Sequence, residues 1–315
     1  MIVALAGGVG GARLAVGLAA VLPPQSLAFV VNTGDDFEHF GLAISPDLDT
    51  VMYTLAGVHN PATGWGRAHE TWNFMSAIEQ LGGATWFRLG DRDLAVHVLR
   101  TLALRRGVPL SEITRLLAAR FGIRHPMIPM SDTAVRTRVL TDRGELSFQD
   151  YFVRCRCRPR VNGFQFAGSR EARIPPALRK ILQSAKVRAA VICPSNPYVS
   201  VAPILSVPAI RAWMRQRDFP VIAVSPIVGG VALKGPAAKM MRELGSAATA
   251  LGVMRHYGGW VDGWVIDRQD AGLERAIERE GKAVLVTDTV MTSRDKSTRL
   301  AKCVVAFARA LASGK

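Results

Sequence analysis

Apolar and polar positions fall into blocks along this chain, and the blocks name their own elements. Ile2-Val3-Ala4-Leu5-Ala6 is a short apolar run that stops at Gly7-Gly8-Val9-Gly10-Gly11, after which residues 12–18 repeat apolar positions at helical spacing. This predicts strand, glycine turn, helix. A second apolar run, Leu27 to Val31, ends in Asn32-Thr33-Gly34-Asp35-Asp36 and completes a first βαβ unit. Residues 50–120 read mainly as helix, with Trp65, Trp72 and Trp86 set among glycines and Gly90-Asp91-Arg92-Asp93 as a polar break. Two alternating runs, 135–140 and 145–153, flank Asp142-Arg143-Gly144, which is a hairpin signal.

Buried-strand runs return at 187–193, 220–224, 263–266 and 283–286, and a helix ends the chain. Such alternation predicts one Rossmann-like α/β domain over residues 1–315, with a doubly wound, mostly parallel sheet. The stretch at about 52–170 is expected to be a largely helical insertion carrying the β-hairpin.

Composition narrows the class. With 315 residues, 49% of them hydrophobic, the chain can bury a large core, which excludes a disordered protein. The opening residues lack the features of a secretory leader, and no run approaches the roughly 18 apolar residues that span a bilayer, so a soluble, cytoplasmic protein is expected without membrane partners. The four cysteines, Cys155, Cys157, Cys193 and Cys303, lack a second Cys or His pair and read as reduced thiols. A net charge of +15 would draw any polyanion, from RNA to a diphosphate-bearing metabolite. The arginines are scattered and no nucleic-acid module is present, so nucleic acid is not an expected partner.

The unusual residues sit directly after the strands, where open parallel sheets bind ligands. Backbone at Gly8, Val9, Gly10 and Gly11 can approach a phosphate at a helix N-terminus. Arg13 stands where a dinucleotide fingerprint has its last glycine, and no Gly-Lys-Ser/Thr follows, so the turn favours an anion over NAD and disfavours an oxidoreductase. Asp35, Asp36, Asp47 and Asp49 lie close in sequence at a strand end and a helix start. Helix capping needs one carboxylate; four can converge on a hard cation such as Mg²⁺. Ser195 and Asn196 between two prolines are stiff and polar, suited to a base or phosphate. Lys234 precedes Gly235-Pro236 at a helix entry, where a cation can help hold an anion. His97, on an apolar-patterned helix, is expected to be structural.

Residues 6–14, 31–36, 44–51, 89–93, 129–132, 194–197 and 225–227 together resemble the motif series of the 2-phospho-L-lactate transferases. The Ser-Pro-Asp-Leu-Asp-Thr block at 45–50 and the Gly-Asp-Arg-Asp block at 90–93 are specific together. The resemblance implies a Rossmann-like fold, a Mg²⁺ requirement, a homodimer and a phosphotransfer reaction in coenzyme F(420) biosynthesis. In that reaction a phosphorylated three-carbon acid passes from a guanosine diphosphate-linked donor to the ribityl hydroxyl of 7,8-didemethyl-8-hydroxy-5-deazariboflavin, and GMP leaves. Carried over by motif, Asp49 and Asp47 are catalytic, while Asp49, Arg88, Asn32 and Thr33 meet the deazaflavin precursor. Asp47, Asp35 and Asp36 hold the metal, and the nucleotide and its phosphates meet Gly8, Val9, Gly10, Gly11, Arg13, Ser195, Asn196 and Lys234. The family often carries Thr or Lys where this chain has Gly11 or Arg13, and Arg13 keeps the positive charge. The role implied for Asp49 is local charge, so Asp49→Asn is expected to leave folding intact. A competing expectation is a sugar-nucleotide-binding regulatory protein of the gluconeogenesis-factor type, which shares the glycine turn.

Overall fold

The main sheet has seven strands: β1 (Ile2–Ala6), β2 (Leu27–Val31), β3 (Met127–Pro129), β4 (Ala189–Ile192), β5 (Val221–Val224), β6 (Gly263–Asp267) and β7 (Ala283–Thr287). In the computed structural model, which describes residues 1–313, they lie in the order β7-β6-β5-β4-β1-β2-β3, and every pairing is parallel. β1 is buried throughout because helices cover both faces of the sheet, so its alternate residues serve two cores. Val3 and Leu5 join Val30, Ile192, Ile204 and Trp264 on one side; Ile2, Ala4 and Ala6 join Leu14, Phe29, Leu300 and Val304 on the other. Each large side chain so buried contributes roughly 1.5–3 kcal/mol.

The helix Gly8–Val21 and the C-terminal helix Arg294–Ser313 share the second core. They pack backbone to backbone: a Cβ on Gly17 would collide with the Ser297 carbonyl. Strand order reverses between β1 and β4, since the chain runs outward from β1 through β2 to β3 and then restarts on the other side. Open parallel sheets take ligands beyond the carboxyl ends of the strands at such a reversal, here the ends of β1 and β4.

Two details differ from the sequence reading. β3 falls inside the stretch expected as an insertion, yet it pairs with β2 and forms an edge of the main sheet. Three residues beginning just after Pro126 are too few to show a period, and the helices Asp91–Arg105 and Leu110–Arg120 belong to the β2-to-β3 crossover. The hairpin forms, from Arg136–Thr141 and Gly144–Ser147, and Val161–Ala167 adds a third antiparallel strand. Its second arm stops early because Ser147 Oγ and the Asp150 carboxylate bond each other at 2.7 Å and open a wide helical turn at Asp150–Arg154. Among the described residues no helix is long and apolar enough to cross a membrane.

Candidate active site

At the end of β1 the chain turns sharply, with Gly8 at φ 63°, a left-handed conformation that glycine adopts without strain. Neighbouring groups close on the turn so tightly that a Cβ at Gly7 would strike Asp47 Oδ2 and one at Gly10 would strike the Pro194 carbonyl. Hydrogen bonds fix it. Gly7 N–H donates to Ser195 Oγ at 3.1 Å, the Ser195 hydroxyl donates to the Gly7 carbonyl at 2.8 Å, and Gly8 N–H donates to Asp47 Oδ1 at 2.7 Å. Ser195 thus laces the end of β4 to the end of β1. Its hydroxyl is buried and engaged by Gly7 on both sides. Asn196 is also locally committed: its Oδ1 accepts from Tyr198 N–H at 3.0 Å. The Val9 and Gly10 N–H groups have no acceptor among the described residues, and they face the first turn of a helix, where an anion is favoured.

The four aspartates divide into two groups. In the first, Asn32 Nδ2 donates to Asp47 Oδ2 at 2.9 Å, Asp35 Oδ1 at 3.2 Å and the Val199 carbonyl at 3.1 Å, while Asp35 Oδ2 accepts from Asp47 N–H at 3.1 Å and so caps the helix Pro46–Leu55. Burial pushes the Asp35 carboxyl well above the usual range, and the neighbouring Asp47 and Asp36 charges add to it. Burial raises Asp47 as well, against the hydrogen bonds from Asn32 and Gly8. Asp36 is pushed up to about 7 by burial, with Arg136 and Arg100 opposing. Ser45 donates to Asp36 Oδ2 at 2.9 Å, whereas Asp36 Oδ1 and Thr33 Oγ1 are buried with no partner. Three desolvated carboxylates, one with an unsatisfied oxygen, have the donor chemistry that a hard divalent cation takes, although among the described residues the group whose ligand atoms already lie within 4.8 Å of one another is a different one, Asp49 with Asp93 and His97.

In the second group, Arg100 grips both oxygens of Asp49: Nη1 donates to Oδ2 at 3.0 Å and Nη2 to Oδ1. His97 lies between two carboxylates, with Nδ1 at 3.7 Å from Asp49 Oδ2 and Nε2 at 3.4 Å from Asp93 Oδ1; the Tyr53 hydroxyl donates to Asp93 at 2.5 Å. Burial raises the Asp49 carboxyl while Arg100 and His97 pull it back. For Asp93, burial pushes upward but the bonds with His97 and Tyr53 and the Arg100 charge leave it below the usual value. Asp49, Asp93 and His97 each offer a ligand atom within 4.8 Å of one another, but the Arg100 guanidinium already supplies positive charge there.

Asp47 and Asp49 therefore do not converge on one ion. Two residues on a helix are turned by roughly 200°, so one carboxylate faces the glycine turn and the other faces the helix Asp91–Arg105. His97 is not an ordinary core side chain either; it belongs to a buried charge network. Arg100 and Tyr53 escaped the sequence reading as site residues, and Asp93 entered it only within the Gly-Asp-Arg-Asp block. Asp93, His97 and Arg100 stand at i, i+4 and i+7, a polar stripe on one helix face that could have marked them.

The remaining expected site residues sit further out. Arg88 is exposed, its guanidinium 4.2 Å from the Trp72 ring centroid, just before the capped start of the helix Asp91–Arg105. Glu70 secures that start by accepting from Arg92 N–H at 2.7 Å and Asp93 N–H at 2.9 Å. Arg13 Nη1 donates to the Met291 carbonyl at 2.9 Å. Lys234 is exposed and touches none of these groups.

A glycine turn and buried carboxylates at the switch point of a parallel sheet define a Rossmann-like α/β protein. The chain belongs to the 2-phospho-L-lactate transferase family: the model described as "2-phospho-L-lactate transferase CofD" matches residues 2–305. A phosphoenolpyruvate transferase of Streptomyces griseus is 41% identical over 309 residues, covering 96% of each chain. A 2-phospho-L-lactate transferase of Methanosarcina mazei is 38% identical over 299 residues, covering 95% of this chain and 97% of the relative. Among solved structures, a member of the UPF0052 family from Bacillus halodurans superposes with a TM-score of 0.61 at 12% identity, over 96% of this chain and 98% of that one, which is a likeness of fold.

Proposed function

We propose that this chain transfers a phosphorylated three-carbon acid from a guanosine diphosphate-linked donor to the terminal ribityl hydroxyl of 7,8-didemethyl-8-hydroxy-5-deazariboflavin, releasing GMP, as a step of coenzyme F(420) biosynthesis. The observation that carries this reading is the whole-length family match on a rim that pairs free backbone donors with desolvated carboxylates. Relatives at 39–41% identity are named phosphoenolpyruvate transferase and others at 38–39% are named 2-phospho-L-lactate transferase, so the acid is of the phosphoenolpyruvyl or phospholactyl kind.

The donor's diphosphate lies against Val9 and Gly10 N–H at the helix start, with the Arg13 charge behind it. Asp47, Asp35 and Asp36 would hold Mg²⁺, which when bound neutralises diphosphate charge and orients the reacting phosphorus. Asp49 and Arg88, with Asn32 and Thr33, hold the precursor so that its hydroxyl faces that phosphorus. The hydroxyl oxygen forms the new P–O bond, the bond to the GMP oxygen breaks, and a carboxylate takes the hydroxyl proton. Such transfer runs on positioning and charge, so little is asked of the base. The net charge of +15 suits an anionic, diphosphate-bearing donor.

Purified protein given the precursor, a guanosine diphosphate-linked donor and Mg²⁺ should release GMP stoichiometrically with product, read by chromatography. No release with phosphoenolpyruvyl, phospholactyl or phosphoglyceryl donors rejects the reading. A homodimer is part of the same proposal, and light scattering checks it.

A further inference from the structure

We infer that Arg100 is a positioning residue for the acceptor side of this site, fixing the Asp49 carboxylate and, through its own helix, the loop that bears Arg88. The inference rests on the reading under Proposed function. Arg100 is 2% exposed and makes both hydrogen bonds that the Asp49 carboxylate can accept from one guanidinium. The same Nη1 lies 3.3 Å from the Ala43 carbonyl and 3.3 Å from His97 Nδ1, so the fork is held from three sides. Burying such a pair is costly, and apolar packing would join two helices at least as well. What a planar fork adds is orientation, because it binds both carboxylate oxygens at once.

The tie reaches Arg88 through the helix. Arg100 lies on Asp91–Arg105, whose first turn is seated on Glu70 and begins directly after Leu89-Gly90. Fixing this helix against the first turn of Pro46–Leu55 sets the spacing between Asp49 and Arg88. The donor side is braced by other means, since Asp47 and Ser195 hold the glycine turn and neither contacts Arg100.

Arg100→Lys keeps the buried charge but loses the fork. In steady-state assays of GMP release, the apparent KM for the deazaflavin precursor should rise roughly 10–100-fold, with the donor KM within about twofold of wild type and the thermal unfolding still cooperative. A paired variant, Asp49→Asn with Arg100→Met, removes both charges and should bind precursor no worse than Asp49→Asn alone. A folded Arg100→Lys enzyme with unchanged precursor KM overturns the inference, as does an equal rise in both constants. A double variant weaker than Asp49→Asn also overturns it. A wild-type chain that releases no GMP overturns the underlying reading and this inference with it.

Discussion

Asp47 and Asp49 stand two residues apart on one helical turn and serve different partners, Asp47 the Gly8 N–H at 2.7 Å and Asp49 the Arg100 guanidinium at 3.0 Å. Their amide variants should therefore fail differently. Asp49→Asn leaves Arg100 buried without its counter-charge and should lose roughly 3–5 kcal/mol of stability, contrary to the expectation that folding is spared. Asp47→Asn removes one of several crowded carboxylates, so it should cost less stability while abolishing metal-stimulated transfer. Chemical unfolding beside GMP-release assays separates the two, and equal stability losses would refute the division into two groups.

The Asp36 carboxyl, at about 7 against an ordinary 3.8, holds a proton in the fold that the unfolded chain has already released between those values. Its contribution is most favourable below the unfolded value and is lost as pH rises towards about 7. Asp36→Asn should accordingly raise the metal-free melting temperature at pH 8 and leave it unchanged near pH 4. Scanning calorimetry at both pH values reads this directly, and no difference at pH 8 argues against a desolvated acid.

Added Mg²⁺ should stabilise the protein more at pH 8 than at pH 5, because protons compete for carboxylates whose burial already favours the neutral form. Thermal shift with and without chelator measures it. A shift independent of pH would speak against Asp35, Asp36 and Asp47 as the ligands.

Ser195→Ala strips Gly7 of the acceptor for its N–H and the donor to its carbonyl. The buried N–H then goes unsatisfied, at a cost of about 1–3 kcal/mol, and the glycine turn loosens against β4. Donor KM should rise with it; an unchanged donor KM would mean that the lacing does not shape the anion site.

Arg88→Ala should be nearly silent in stability, since an exposed guanidinium over Trp72 contributes within about 1 kcal/mol. Precursor binding should weaken while GMP binding holds. Calorimetric titration with each ligand checks the assignment, which fails if both weaken alike.

Where the sequence was legible, local physics decided the outcome. The apolar run Ile2–Ala6 and its glycines could hardly be anything but a buried strand and a turn, and the residues after β1, β2 and β4 do meet at one rim. The Asp49–Arg100 pair was hidden because 51 residues separate its members, and nothing in a one-dimensional pattern reports which distant charge will neutralise a carboxylate. The Ser195–Gly7 lacing was hidden for a related reason: a stiff polar strand end suits a ligand and a neighbouring backbone equally well, and 188 residues separate the two. β3 was concealed by shortness, with proline at its last position and another immediately before it.

The contact between Gly17 and the Ser297 carbonyl has a consequence for the order of events during synthesis. The helix Gly8–Val21 finds its outer cover only in the helix Arg294–Ser313, made long after it, and β1 waits for β4 before it has a neighbour on that side. A nascent chain stalled before residue 294 would therefore expose the flank of the helix Gly8–Val21 to chaperones or to aggregation.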